Sequence, residues 1–239
     1  MNCLILAAGL GTRLRGISES KPLTPVGGVP LIEHVIRRAA AGGATRFLAV
    51  TGYQAERVET FLDELQGRID LPIGWERTDD WTRPNGYSVL AGAEVLDGDF
   101  LLSMSDHLFD PEIVTLLLGR RGAGVTLAVD RDLAGPLLDI DDATKVDVAP
   151  DGRIAAIGKA LTAYNAIDTG LFLAGPALAE AIRADIAAGG GGSLSEGMQR
   201  LAGAGLASTV DIGAARWIDV DSPEMLALAE SFVDRAGQI

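Results

Sequence analysis

The sequence predicts an α/β fold in which a doubly wound, mostly parallel sheet forms one domain across residues 1–239. Three observations carry this. Short apolar runs alternate with segments of helical period, the pattern of βα units and a parallel sheet. A glycine-containing loop of small residues follows the first apolar run directly. The chain is 48% hydrophobic over 239 residues, enough for the core of one large domain.

The run 3–6 reads as a buried strand, and residues 31–41 as a helix that places Leu31, Ile32, Val35, Ile36 and Ala39 on one face before Gly42-Gly43 ends it. A strand at 46–51 and an amphipathic helix at 55–65 follow, the latter with Val58, Phe61, Leu62 and Leu65 on one face. Residues 73–77 read as a short strand, 78–85 as a polar loop, 87–96 as a helix and 100–104 as a buried strand. Pro111 starts a helix to 118, and 124–129 is a strand. The runs 144–148 and 154–157, joined through Asp151-Gly152, read as a hairpin. A strand at 168–174 and a helix at 176–187 lead to four glycines, 189–192, which read as a surface turn without a ligand role. A helix at 194–201, strands at 207–212 and 216–218, and a helix at 223–233 complete the pattern, with no internal repeat or linker.

Composition bounds the chemistry. The net charge is −13 and no Lys/Arg-rich block interrupts it, which argues against nucleic acid but not against a small anion held by local cations. No apolar run approaches the ~20 residues of a membrane span, and the N-terminus carries no signal-peptide pattern, so a soluble cytoplasmic protein without stable membrane insertion is expected. Cys3 is the sole cysteine, which excludes an intramolecular disulfide or a cysteine metal cluster. Only three lysines, Lys21, Lys145 and Lys159, stand against seventeen arginines. Such a chain can keep lysine where a compact ammonium is needed.

The loop after the first strand, Ala7-Ala8-Gly9-Leu10-Gly11-Thr12-Arg13-Leu14, has the small residues that let backbone N–H groups form an anion nest. Arg13, Arg15 and Lys21 add cations beside it. It is neither dinucleotide fingerprint nor P-loop. Leu14 stands where the fingerprint needs glycine, and Thr51-Gly52-Tyr53 lacks its acid; Ile17 stands where the P-loop needs Lys, directly before Ser18 at its Ser/Thr position. Farther along, Asp106 in Ser105-Asp106-His107 and Asp219 in Trp217-Ile218-Asp219-Val220-Asp221 both fall at predicted strand ends, where ligands of open α/β sheets sit. Two such carboxylates suit Mg²⁺, which prefers oxygen ligands and substrate phosphates. Each acid alone also fits a solvated strand end, and Asp221, before Ser222-Pro223, fits a cap for the last helix. An ammonium at Lys159, shortly before Asp168-Thr169-Gly170, could hold the phosphate of an acceptor. His34 reads as a helix residue and His107 as a neighbour of the metal site, with no histidine triad.

Residues 7–14 followed by Lys21-Pro22-Leu23 resemble the signature of the sugar-phosphate nucleotidyltransferase family. Within it, Asn85-Gly86-Tyr87-Ser88, Ser105-Asp106-His107, Ala143-Thr144-Lys145, Ile157-Gly158-Lys159, Asp168-Thr169-Gly170 and residues 217–221 are similar to the CTP:inositol-1-phosphate cytidylyltransferases, over about residues 1–233. Gly158 and Ala160 depart from the general family's Glu-Lys-Pro element, and Ser105 stands where glycine is expected.

The resemblance implies a Rossmann-like nucleotidyltransferase fold: a mostly parallel mixed sheet, helices on both faces and a small acceptor-binding β subdomain. It implies transfer of a cytidylyl group from CTP to a small phosphorylated acceptor, inositol 1-phosphate, with Mg²⁺ on Asp106 and Asp219. Arg13 and Lys21 would face the triphosphate; Leu6, Ala7, Ala8, Gly9, Gly11, Thr12, Asn85 and Gly86 would complete the nucleotide site. Lys159, with Lys145, Asp168, Thr169 and Gly170, would form the acceptor site. It also allows a homodimer and a functional link to a separate CDP-alcohol phosphotransferase, to which such domains are often fused. Within enzymes, a cytidylyltransferase for phosphocholine or a phosphonate, or a uridylyl or thymidylyl transferase for a sugar 1-phosphate, stays open. Outside enzymes, a nucleotide-sensing subunit would be expected to lack one of Arg13, Lys21, Asp106 or Asp219, and all four are present.

Overall fold

The computed structural model describes residues 1–120, 124–135, 137 and 139–236. The first half contains β1 (Asn2–Ala7), β2 (Pro25–Val26), β3 (Val29–Pro30), α1 (Leu31–Ala41), β4 (Arg46–Thr51), α2 (Ala55–Arg68), β5 (Ile73–Arg77), α3 (Gly86–Val95), β6 (Phe100–Met104), β7 (His107–Phe109) and α4 (Glu112–Leu118). The second contains β8 (Val125–Asp130), β9 (Lys145–Val148), β10 (Ile154–Gly158), β11 (Ala166–Ala174), α5 (Pro176–Ala187), α6 (Leu194–Gly203), β12 (Ala207–Asp211), β13 (Trp217–Asp219) and α7 (Pro223–Ala236).

Nine strands form one mixed sheet with the order β10-β9-β11-β6-β1-β4-β5, and β8 pairs with both β11 and β12. β1 is parallel to β4 and β6 on its two sides, and β5 extends the parallel part beyond β4. β11 runs antiparallel to β6, β8 and β9, so the second half of the chain joins the sheet in the opposite sense. The β9–β10 hairpin predicted from Asp151-Gly152 is present, and it continues this sheet through β9.

Alternation along β1 sets the layers. Cys3, Ile5 and Ala7 face a core shared with α1, α2, α4 and α7, whereas Leu4 and Leu6 face one shared with α3, α5 and α6. Such strands read as continuous apolar runs because both faces are covered. Each fully buried Leu or Ile contributes about 1.5–3 kcal/mol relative to exposure. Ser193 and Glu196 form a reciprocal capping box that starts α6, and the amides of Gly191 and Gly192 donate to Glu196 and Asp185.

Several boundaries differ from the sequence reading. α2 continues to Arg68 and β11 begins at Ala166. The short strands β2, β3 and β7 have too few residues to show a period. β7 pairs only with β13, and this two-stranded ribbon sits apart from the main sheet.

Candidate active site

The site gathers at the C-terminal ends of β1 and β6 and at the β7–β13 ribbon. In the ribbon, Asp219 lies opposite His107, and the Val220 amide donates to the Asp106 carbonyl at 2.9 Å. Asp106 and Asp219 are thereby brought together from positions 113 residues apart in the chain, as the sequence reading expected. Lys21, in a short 3₁₀ turn (Lys21–Leu23), points between them. Its ammonium is paired with Asp106 Oδ2 and lies 3.9 Å from Asp219 Oδ1.

Gly11 explains the loop in front of that lysine. It adopts φ +62° in the left-handed region, and a Cβ there would overlap Lys21 Cβ. The loop turns tightly because this residue has no side chain. The Leu6 and Ala8 carbonyls each accept a backbone N–H, from Ser105 (3.1 Å) and Tyr53 (3.0 Å), which fixes both segments against β1. Arg13 leaves the loop in a second 3₁₀ turn (Thr12–Leu14). Arg15 does not join it; its guanidinium lies over the Tyr53 ring, 5.6 Å from the centroid.

His107 donates in two directions. Nδ1 is 2.8 Å from the Thr169 carbonyl, and Nε2 is 3.4 Å from Asp219 Oδ2. Burial opposes protonation of the ring, but Asp219, Asp106 and the Thr169 carbonyl outweigh it and push its pKa up to about 9. Burial likewise opposes the charge on Lys21, and Asp106 and Asp219 outweigh it, so its pKa is raised. The Asp219 carboxyl is held below the usual range, since His107 and Lys21 overcome its burial.

Ligand atoms of Asp106, His107 and Asp219 lie within 4.8 Å of one another, as do those of Asp142, Asp219 and Asp221. An oxygen-seeking divalent cation fits Asp106 and Asp219: Asp219 Oδ1 is buried and accepts no hydrogen bond. His107 Nδ1 donates to the Thr169 carbonyl, and its Nε2 faces Asp219, so the ring can hold that carboxylate in place.

Beyond the acids lies a cavity of about 190 Å³, lined among others by Asn85, Asp142, Thr144, Lys159, Asp168 and Asp219. Lys159 Nζ is 2.8 Å from Asp142 Oδ1. Gly170 also borders this cavity; its φ of +77° and the overlap a Cβ would make with His107 Nδ1 require glycine. Burial raises the Asp168 carboxyl to about 6, against the Gly170 amide and His107. Thr169 is buried and turns its hydroxyl to the Ala128 carbonyl, so its service to the site is the carbonyl that holds His107. Lys145 stands behind Lys159, with Nζ 3.2 Å from the Lys159 carbonyl and 5.8 Å from the Tyr164 ring.

A second cavity, on the β1 side of the acids, is lined by Gly9, Lys21, Trp81, Arg83, Asn85 and Asp106 among others. Trp81 packs edge-on to Tyr53, with centroids 5.2 Å apart. Asn85 borders both cavities, and its Oδ1 accepts the Leu194 amide at 2.9 Å. Gly86 opens α3, where a Cβ would overlap the Gly192 carbonyl; Ala7 is buried in the core.

Two acids were missed as members of the site. Asp221 does not cap α7; Ser222 Oγ accepts the Met225 amide, and Asp221 Oδ2 instead lies 2.5 Å from Arg13. Burial and then Asp219 raise its pKa to about 6. Asp142 lies 2.5 Å from Arg13 by its other oxygen, Oδ2. Burial opposes the charge of this carboxylate, but Lys159 and Arg13 hold its pKa well below the usual range. Its one sequence signal was its place directly before Ala143-Thr144-Lys145.

A profile of the MobA-like NTP transferase domain matches residues 3–201. Over 233 residues the chain is 36% identical to a "Bifunctional IPC transferase and DIPP synthase" from Rubrobacter xylanophilus, covering 96% of this chain and 51% of that one. It is 31% identical over 234 residues to a protein so described from Thermococcus kodakarensis, covering 97% and 50%. The chain therefore spans about half the length of these curated relatives. Among solved structures, the inositol-1-phosphate CTP transferase of T. maritima superposes with a TM-score of 0.84 at 23% identity, over 96% of both chains, a likeness of fold.

Proposed function

The chain belongs to the family of MobA-like NTP transferase domains, and we propose that it transfers a cytidylyl group from CTP to inositol 1-phosphate, releasing CDP-inositol and pyrophosphate. The observation that carries the transfer chemistry is the convergence of Arg13, Lys21, Asp106, Asp219 and Lys159 between two adjoining cavities. The choice of CTP and inositol 1-phosphate rests on the motifs around Asn85, Lys145 and Lys159, together with the relatives' descriptions.

In this reading an oxygen of the acceptor phosphate attacks the α-phosphorus of CTP, and the bond to the β-phosphate breaks in line. Repulsion between the anionic reactants is the main obstacle, so placed positive charge is the main device. Arg13 and Lys21 offset charge on the leaving pyrophosphate. Lys159 holds the acceptor phosphate. Asp106 and Asp219 would hold Mg²⁺, which supplies charge neutralisation between the phosphates when bound. Lys21 would then exchange its carboxylate partners for phosphate oxygens. His107 keeps Asp219 oriented. No general base is needed, because the attacking phosphate oxygen is ionised at neutral pH.

The cavity beside Gly9, Trp81 and Asn85 takes the base and ribose, and the cavity beside Lys159, Asp168 and Gly170 takes the alcohol. Residues 1–239 act as one domain in this reading, and the product suits a CDP-alcohol phosphotransferase. Among the described residues no helix is long and apolar enough to cross a membrane. Pyrophosphate release measured across CTP, UTP, dTTP, ATP and GTP, each against inositol 1-phosphate, phosphocholine, 2-aminoethylphosphonate and glucose 1-phosphate, tests the proposal. CTP with inositol 1-phosphate is expected to give the highest kcat/KM. Release with UTP and glucose 1-phosphate, and none with the proposed pair, would move the chain to sugar activation.

A further inference from the structure

Asp142 has no part in the proposed chemistry, yet it touches both of its cationic ends. It lies between β8 and β9, in a turn where the Asp141 amide donates to Asp139 Oδ1 and the Ala143 amide to the Asp139 carbonyl. One carboxylate oxygen meets Arg13 of the phosphate loop at 2.5 Å; the other meets Lys159 of the acceptor site at 2.8 Å. These two cations come from segments 146 residues apart in the chain, and this one side chain bridges them.

We propose that Asp142 is a positioning residue that stands in for substrate phosphate, so that a phosphate bound at either Arg13 or Lys159 frees the other cation. Its carboxylate holds both cations in the directions from which they would meet phosphates. The side chains are 33% exposed for Asp142, 49% for Arg13 and 60% for Lys159, so water and salt reach both pairs. Exposed pairs of this kind are weak, worth about twofold to fivefold in an equilibrium constant, and a multiply charged phosphate accepting from Arg13 is a stronger partner. Asp221 stays beside Arg13 and keeps the guanidinium near the loop when Asp142 leaves. The consequence is reciprocal coupling: each ligand makes room for the other by the same factor. The roles of Arg13 and Lys159 in this inference rest on the proposed nucleotidyl transfer, but the competition itself does not depend on base or alcohol.

Isothermal titration of the full chain tests it with inorganic tripolyphosphate, which carries no base, and with inositol 1-phosphate, each alone and in the presence of the other. Asp142→Asn is expected to bind tripolyphosphate about twofold to fivefold more tightly than the native chain. The factor by which one ligand favours the other is expected to drop by a similar amount. Asp142→Ala should behave alike, and Asp141→Asn, which removes the same charge next door, should change either quantity less than twofold. Weaker or unchanged tripolyphosphate binding in both Asp142 variants, or the same coupling factor as the native chain, would overturn the inference. The tripolyphosphate arm decides it whichever nucleotide is used, and lack of turnover with CTP would count against the proposed reaction alone.

Discussion

The chemistry of the site turns on single charges. Asp106→Asn and Asp219→Asn each remove a carboxylate from the pair that converges on Lys21. Both are expected to lower kcat by at least ~10²-fold, the scale of losing one placed electrostatic partner. Unaltered circular dichroism would show the fold intact, and full activity with unchanged Mg²⁺ dependence in either variant would refute the assignment. Arg13→Ala should lower kcat/KM for CTP by about 10²–10³. Lys159→Ala should raise KM for the acceptor; a loss of nucleotide binding instead would reverse the two roles. The two histidines offer a direct electrostatic check. Against burial, Asp219 and Asp106 push the His107 pKa up to about 9, whereas burial, against the Val26 carbonyl, lowers His34 below its ordinary 6.5. In the metal-free protein, NMR should therefore show two separated titrations, assigned with His34→Gln. Because the folded pKa of His107 is raised, its stabilising contribution is complete below 6.5 and is lost as the pH rises through about 9. Overlapping titrations near 6.5 would contradict the geometry around Asp219.

At the scale of elements, the β7–β13 ribbon is what the site depends on. Arg216 ties its far end: its amide donates to Asp110 Oδ2 at 3.0 Å, and its guanidinium makes two bonds of 3.1 Å to the same carboxylate. Arg216→Ala should cost about 1 kcal/mol, since the pair is partly exposed, and should lower turnover through Asp219 without weakening CTP binding. Equal turnover in that variant, by steady-state assay, would show that the ribbon holds without its clamp. The sequence made the two acids at its ends legible, because each follows an apolar strand. It showed one strand of the ribbon, at 216–218, but hid β7 and the pairing, since a three-residue strand carries no period and the pairing spans distant segments. Asp142 was hidden for a similar reason: its partners, Arg13 and Lys159, come from other elements. The loop after β1 was the most legible part. Gly11 and Lys21 meet there within ten residues, and local sterics alone require the glycine.

For the whole molecule, the βα alternation foretold the parallel half of the sheet, where each strand is followed by a helix. The order of the antiparallel half depends on β11 pairing with three partners, and nothing local in β11 specifies that. Sensitivity to acid is a property of this scale. Glu59 sits below its ordinary 4.5 through Arg77, against burial and with help from Thr51; Glu33 sits below it because Arg68 and Arg37 outweigh its burial. Depressed carboxyls stabilise above their ordinary value and lose that contribution as the pH falls through the folded one. The melting temperature should therefore fall below about pH 4.5, and less steeply in Glu59→Gln; identical slopes would exclude Glu59 as a source. The most direct test of cytidylyl transfer itself is ³¹P NMR of the chain incubated with CTP, inositol 1-phosphate and Mg²⁺. CDP-inositol and pyrophosphate should appear in equal amounts, and addition of EDTA should stop both. Unchanged CTP and inositol 1-phosphate, under conditions where UTP and glucose 1-phosphate are converted to a nucleotide sugar, would contradict it.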